Sequence, residues 1–288
     1  MHNINLFEKL NLLIELLNKL RNSSLLSTPL IRTLFKFFSL IISRILFGRK
    51  KSINIGNEYT FFLNSKFAFS GWEKWGEGHN KGFRKLLELA SSNSTVFDVG
   101  AHIGLCSLPL SRKAEFIYAF EPSKVNRKYL KQHLAFNEIE NIKVIEDLLG
   151  KNNLEEVSFF ETKDVSGVPS ITDLSKISTS VKGVKEKKLR QISLDYFCEV
   201  NDVIPDLIKI DVEGAEFNVL EGASKIIKEN RPEIIISLHP KHLNALGRHI
   251  SEIFNFCEIF SYELLSCNNM KEIKRAELSL DEYYMKPT

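Results

Sequence analysis

The sequence predicts an α/β fold: a doubly wound, mostly parallel sheet with helices on both faces, preceded by an N-terminal helical arm. Three observations carry this expectation. Short apolar runs at Thr95–Val99, Phe116–Phe120 and Ile142–Ile145 alternate with helical patterns over 83–90, 104–112 and 124–137, which is the βαβαβ rhythm of a parallel sheet. Two more buried-strand runs, Leu207–Ile210 and Glu233–Leu238, are separated by a helical pattern over 215–228. Residues 1–51 behave differently, with long leucine- and phenylalanine-rich segments, so they form the arm and residues 52–288 the main domain.

The arm begins with NLFEKLNLLIELLNKL, where Leu6, Leu10, Leu13, Leu17 and Leu20 share one helical face and Glu15 lies four residues before Lys19. A second helix is predicted from Pro29, with Ser27 or Thr28 as cap and proline at the first helical position. Its polar residues Arg32, Lys36, Ser39 and Ser43 fall on one narrow stripe. Such a helix is either buried against the protein or a second copy of the chain, or it lies in a membrane surface assisted by Arg49, Lys50 and Lys51. Spanning is disfavoured, since Arg32, Lys36 and Arg44 would each cost about 3 kcal/mol near the bilayer centre. Residues 5–47 are thus the candidate segment for peripheral membrane contact or homodimerisation.

Past Ser52, short β-like segments such as YTFFL and FAFSGW lead into the core. Residues 161–190 lack sustained periodicity and read as an excursion or loosely paired strands. Sheet-like pattern resumes over 191–197, and EIFSYELL with DEYYMKP suggests a closing antiparallel pair.

Composition excludes several function classes. A net charge of +3, with lysines dispersed along 288 residues, does not suit a nucleic-acid binder. The four cysteines are far apart with no CxxC pair, which argues against a disulfide framework or zinc ribbon and for a reducing cytoplasm. Met1–Lys19 mixes charges among its leucines and lacks a secretory pattern, so a cytoplasmic location is expected, with the inner membrane face as a peripheral site.

The first strand ends in TVFDVGAHIGLCSL, with Asp98 at the strand end, Gly100 in the turn and Gly104 at the predicted helix start. Glycines there permit a sharp turn and close approach of a ligand to backbone amides, and an acidic residue can orient a ligand amine or hydroxyl. A dinucleotide fingerprint would read GxGxxG; Gly100-Ala-His102-Ile-Gly104 lacks the middle glycine and suits a nucleoside cofactor without a pyrophosphate. Glu121 in YAFEPS, at the end of the second strand, is placed to accept from both ribose hydroxyls. Together these favour S-adenosylmethionine over NAD. Glu146 and Asp147, after the third strand, stand where adenine would lie.

The chemistry is expected at IKIDVEGAEFNVLEGA, where a buried strand delivers Asp211 to the rim and Gly214 turns the chain into a helix carrying Glu213 and Glu216 at its amino end. Methylating a hydroxyl requires a held nucleophile and a base. Asp211 and Glu213 would organise the centre, and His239 in IIISLHPKH would take the proton. The same three groups could take Mg²⁺, but nothing in the spacing fixes a metal and none is expected. Ahead of the core, Trp72, Trp75, His79 and Asn80 in FSGWEKWGEGHNKGF form a candidate acceptor lid, with aromatic faces for sugar rings and polar groups for hydroxyls.

VFDVGAHIGLCSLPLS, AFEPS, ISLDYF and IKIDVEGAEFNVLEGA, in this order, resemble the FkbM family of S-adenosylmethionine-dependent methyltransferases, from about Trp72 to the C-terminus. The resemblance implies a class I methyltransferase fold and methyl transfer to a hydroxyl oxygen, often on a sugar or secondary metabolite. At His102 such proteins commonly carry Asn. The competing readings are an NAD-dependent oxidoreductase, disfavoured by the missing glycine, and a non-catalytic membrane-associated scaffold, disfavoured by acidic residues at the strand ends.

Overall fold

The computed structural model describes residues 6–21, 23–45, 48–78, 80–162, 165, 170–171 and 183–288. The chain divides into two compact units, Met1–Trp75 and Gly76–Thr288. The division falls later than residue 51 because a β-hairpin belongs to the helical unit.

In the first unit, α1 (Leu6–Arg21) and α2 (Pro29–Ile45) are joined through a 3-10 turn at Ser24–Ser27. Proline opens α2 as predicted, and the Arg32 amide donates to the Thr28 carbonyl at 3.0 Å. The hairpin pairs β1 (Lys50–Ile55) antiparallel with β2 (Tyr59–Asn64). Ile14, Leu17 and Ile42 form a small core, with Leu20, Phe35 and Phe69 packed on it. Arg21 pairs with Glu73, and Asn18 Nδ2 donates to the Ala68 carbonyl at 3.3 Å. Burial of α2 against the protein is partial: Ile42 is buried and Phe35 packs beside it, whereas Leu30 is 69% and Phe37 57% exposed, with Leu34, Phe38 and Ile41 exposed as well. Among the described residues no helix is long and apolar enough to cross a membrane.

The second unit contains α3 (Gly82–Leu89), β3 (Thr95–Val99), α4 (Ser107–Leu110), β4 (Phe116–Phe120), α5 (Lys124–Phe136) and β5 (Ile142–Ile145). It continues through β6 (Leu148–Leu149), β7 (Leu154–Thr162), β8 (Val184–Ile192), α6 (Leu194–Asn201), β9 (Leu207–Ile210), α7 (Glu216–Glu221) and α8 (Ser224–Asn230). It closes with β10 (Glu233–Leu238), α9 (Pro240–Ala245), α10 (Glu252–Phe260), β11 (Tyr262–Ser266) and β12 (Asp281–Pro287). The main sheet has the order β11-β12-β10-β9-β3-β4-β5. Strands β10, β9, β3, β4 and β5 run parallel, and β12 inserts antiparallel between β10 and β11. A three-stranded sheet, β6-β8-β7, lies beyond β5 in the chain and takes up both ends of the 161–190 excursion.

The central strands are mostly apolar because helices cover both faces of a parallel sheet, with Asp98 in β3 and Lys209 in β9 as buried exceptions. All four residues of β9 are buried, as are four of five in β3. Phe97, Phe120 and Phe197 meet edge to face at 4.9–5.7 Å between centroids. Each side chain of this size fully removed from water contributes roughly 1.5–3 kcal/mol.

Three sequence expectations are revised here. The segment 191–197 is not a strand throughout: β8 stops at Ile192, and Ser193 caps α6 by accepting from the Tyr196 amide at 3.1 Å. The helix expected over 215–228 is split into α7 and α8. Asp195 accepts from the amides of Lys225 and Ile226 at 2.9 and 3.0 Å, satisfying a new helix start, and Gly222 lies so close to the Gly150 carbonyl that a Cβ would meet it at 2.1 Å. The helix expected over 104–112 shrinks to Ser107–Leu110, since 101–106 form the turn that follows β3.

Candidate active site

The chain leaves β3 toward β4 and β5 on one side and later returns to β9 and β10 on the other, so the switch point lies between β3 and β9. Ligands of open α/β sheets bind outside the carboxyl ends of the strands at such a point. The structure brings Gly100, Glu121, Asp211 and His239 to that one rim, each just past the end of its strand.

Gly100 has φ 81°, and a Cβ built on it would lie 1.9 Å from the Asp211 carbonyl oxygen. Only glycine lets the turn after β3 press against the end of β9. The amides of Gly100 and Ala101 both donate to the Phe120 carbonyl, at 2.9 and 3.0 Å, which locks the turn to β4 as well. Gly104, at φ 98°, has Leu130 where its Cβ would be.

Asp98 is fully buried and works beneath the turn. Its Oδ2 accepts from Ser107 Oγ at 2.5 Å, and Oδ1 lies 3.2 Å from Lys209 Nζ. Lys209, in the strand LIKI, donates to the Gly100 carbonyl at 3.0 Å and stands 3.6 Å from Asp211 Oδ2. Burial alone would lower its pKa, but Asp98 and then Asp211 more than offset this and raise it, so the amine is charged. Sequence reasoning missed Lys209; the available signal was a lysine inside a run that otherwise demands apolar residues.

Glu121 is buried, with Oε2 accepting from the His102 amide and Oε1 from the Ser123 amide, both at 2.8 Å. Burial raises its pKa to about 7 against the opposing pull of these amides, Lys209 and Arg127. His102 adopts φ 54°, a left-handed conformation in which Asn, Asp and His are the side chains most often found. The contact to Glu121 comes from its backbone, so the ring is not what holds the carboxylate. Glu146 is exposed and bonded to Arg127 at 2.9 Å, whereas Asp147 is half-buried, 3.8 Å from Arg190. Arg127 also donates to the carbonyls of Glu121 and Pro122 at 2.9 and 2.7 Å, tying the ends of β4 and β5 together.

Asp211, Glu213 and His239 converge. His239 Nε2 lies 3.6 Å from both Asp211 Oδ1 and Glu213 Oε2. On its other side, His239 Nδ1 is 2.6 Å from Oε1 of the fully buried Glu216, which also accepts from the Gly214 amide at 2.9 Å. Glu216 therefore serves the turn, as a cap would, and orients the histidine ring as well. Burial lowers the His239 pKa, but Glu216, Glu213 and Asp211 raise it further, to about 9. These neighbours thus favour the cationic form of the ring at neutral pH. The Asp211 carboxyl is held low: burial opposes this, and Lys209 and His239 override it. His242, unnoticed in the sequence, stacks on His239 with centroids 5.6 Å apart and places Nδ1 2.9 Å from Glu213 Oε2.

The candidate lid residues are distributed. Trp72 and Trp75 belong to the first unit, where the Trp72 ring packs on Phe67 at 5.1 Å. Asn80 belongs to the second, where its carbonyl accepts from the Phe83 amide at 3.3 Å near the start of α3. His79 lies outside the described residues.

A seven-stranded sheet whose last strand inserts antiparallel, with a glycine turn after the first strand and an acid after the second, is the arrangement of the class I, Rossmann-like methyltransferase fold. The chain belongs to the family of the methyltransferase FkbM domain, whose model matches residues 98–264. It is 31% identical over 163 residues to methyltransferase sdnD of Sordaria araneosa, covering 46% of this chain and 62% of that protein. It is 27% identical over 174 residues to hexuronic acid methyltransferase AglP of Haloferax volcanii, covering 59% of this chain and 67% of that protein. The solved structure of a methyltransferase FkbM from Methylobacillus flagellatus matches with a TM-score of 0.45 at 19% identity, over 77% of this chain and 52% of that one. The chain thus spans about six-tenths of sdnD and half of the solved FkbM protein.

Proposed function

We propose that this protein methylates a hydroxyl oxygen of a saccharide, glycoconjugate or secondary metabolite, with S-adenosylmethionine as donor. The observation that carries this reading is the convergence of Asp211, Glu213 and His239 beside the glycine turn, a proton-accepting cluster where the methyl donor would end. Likeness to a hexuronic acid methyltransferase supports a sugar acceptor.

The residues fit the cofactor by their chemistry. Glu121 spends one lone pair per oxygen on backbone amides, which leaves acceptor capacity for two vicinal hydroxyls. Gly100, His102 and Gly104 would border the donor, Asp98 would hold the turn through Lys209, and Asp147 is the better placed of the two residues after β5 for an amine. S-adenosylmethionine would supply a methyl carbon made electrophilic by its sulfonium. The chain's part is to hold the acceptor oxygen with Asp211 and Glu213 and to receive its proton. His239 accepts that proton at Nε2 once it has given up its own, while Glu216 holds Nδ1. Trp72, Trp75, His79 and Asn80 remain the proposed acceptor contacts.

Two experiments test this. Incubating the full chain with labelled donor and a panel of neutral sugars and uronic acids should give a product with a base-stable methoxy group. A base-labile methyl ester would move the reaction to a carboxyl group. By calorimetry, S-adenosylhomocysteine should bind more tightly as pH rises from 6 to 8, because Glu121 ionises near 7 and the carboxylate is the better double acceptor. Glu121→Ala should weaken binding roughly 10- to 100-fold, the worth of a hydrogen bond to a charged group, and Glu121→Gln should abolish the pH dependence.

The helical arm brings this chemistry to an anionic lipid surface. Leu30, Leu34, Phe37, Phe38 and Ile41 leave α2 with an exposed apolar face, Arg32 and Lys36 are exposed on the same helix, and Arg49, Lys50 and Lys51 follow it. No acidic residue lies between Leu16 and Ser52. The protein should float with vesicles containing phosphatidylglycerol, less at high salt, and not with phosphatidylcholine alone. Phe37→Glu should abolish flotation. A dimer in solution that Phe37→Glu splits, with no flotation by either form, would assign the face to a second copy instead.

A further inference from the structure

Asp211, Glu213 and His239 come from the end of β9, the turn before α7 and the end of β10, and one donor atom of each lies within 4.8 Å of those of the other two. The Nε2 separations of 3.6 Å are too long for hydrogen bonds and leave a gap bounded by three donor atoms. The side chains are 27%, 19% and 12% exposed, so the gap has an entry path.

An independent feature lies behind the cluster. A metal-bound histidine almost always gives its other ring N–H to a carboxylate or carbonyl, which fixes the ring and aims the free nitrogen. Glu216 does this for His239 at 2.6 Å. It is fully buried, and its second oxygen, Oε2, has no hydrogen-bond partner among the described residues. A buried carboxylate with one oxygen unanswered is costly unless it serves local positive charge. The local balance is acidic: Asp98, Asp211, Glu213 and Glu216 face one fixed cation, Lys209, together with the rings of His239 and His242.

We infer that Asp211, Glu213 and His239 form a binding site for a divalent first-row transition ion, represented by Mn²⁺. Two carboxylate oxygens and one imidazole are hard-to-borderline donors, which suit Mn²⁺, Fe²⁺ or Zn²⁺ and do not suit Cu⁺. Three protein ligands on one side leave positions open for the acceptor hydroxyl. That part rests on the reaction proposed above; the binding of the ion does not. With an ion at Nε2, His239 is no longer available as base. The ion instead acidifies the bound hydroxyl, whose proton passes to water, while the oxygen forms the new bond to the methyl carbon and the carbon–sulfur pair stays with sulfur as the neutral thioether.

The test is titration of the full chain with Mn²⁺ alone, read by the loss of the free-ion electron paramagnetic resonance signal, without donor or acceptor. One saturable site is expected, weakened at least ~10-fold in Glu213→Gln, because disturbing even an outer partner of a metal site costs that much. The surface variant Glu155→Gln should bind as the parent does. Asp211→Asn provides a second ligand deletion, and the thermal midpoint of each apo variant separates ion loss from unfolding. No saturable binding, or equal binding by the parent and by folded Glu213→Gln and Asp211→Asn, would overturn the site and leave His239 as the base. Because no turnover is read, failure here is distinct from failure of the methyl-transfer proposal.

Discussion

Gly100→Ala should abolish S-adenosylhomocysteine binding and destabilise the protein by more than the roughly 1–2 kcal/mol that a left-handed alanine costs by itself. Its φ of 81° is unfavourable for alanine, and the added carbon would fall 1.9 Å from the Asp211 carbonyl oxygen. The backbone has little room to yield, because the amides of residues 100 and 101 are bonded to Phe120 and the Asp211 amide to Val99 at 3.0 Å. The clash therefore pushes β9 and β3 apart at the place where donor and acceptor must meet. Gly247→Ala is the matched control: φ is 72°, but nothing lies within 4 Å of the new carbon. It should lose only the conformational share and keep full binding. Urea denaturation and calorimetry on the two variants separate the effects; retained binding in Gly100→Ala would show that the turn relaxes independently of β9.

Lys209→Met should be the second large loss, about 3–5 kcal/mol, the usual cost of removing one partner from a buried ion cluster. Methionine fills the space of the lysine stem, so the effect is electrostatic: Asp98, fully buried, loses the cation at 3.2 Å from its carboxylate, and the Gly100 carbonyl loses its donor. Asp211 is partly exposed and its share is smaller because solvent screens it. Adding Asp98→Asn to Lys209→Met should restore part of the stability, since the neutral amide no longer needs a counter-charge. Equal losses for the single and double variants in chemical denaturation would place the cost in packing instead.

The parts of this molecule that were legible in its sequence are those set by local pattern. Mostly apolar runs marked β3, β4, β9 and β10, and reading one residue past each run led to Gly100, Glu121, Asp211 and the neighbourhood of His239. What stayed hidden depends on pairing across the chain. Lys209 acquires its role only when β9 lies beside β3 and brings Asp98 within 3.2 Å across 111 positions of sequence. The insertion of β12 between β10 and β11 likewise leaves no trace in the order of segments. The strand expected over 191–197 failed for a local reason: ISLDYF alternates like a strand, yet Ser193 and Asp195 are spent as helix caps.

Glu213 sits at φ 52°, between Asp211, just past the end of β9, and Gly214 in the turn before α7, with its carbonyl held by Ser170 Oγ at 2.8 Å. Backbone conformation there favours glycine or asparagine by about 1–2 kcal/mol. Neither could reach His239 and His242 as a long carboxylate does. Stability and chemistry thus select different amino acids at one position, and the molecule tolerates a standing strain in its backbone to keep an acid within range of two imidazoles. A chain optimised only for folding would give this residue up early.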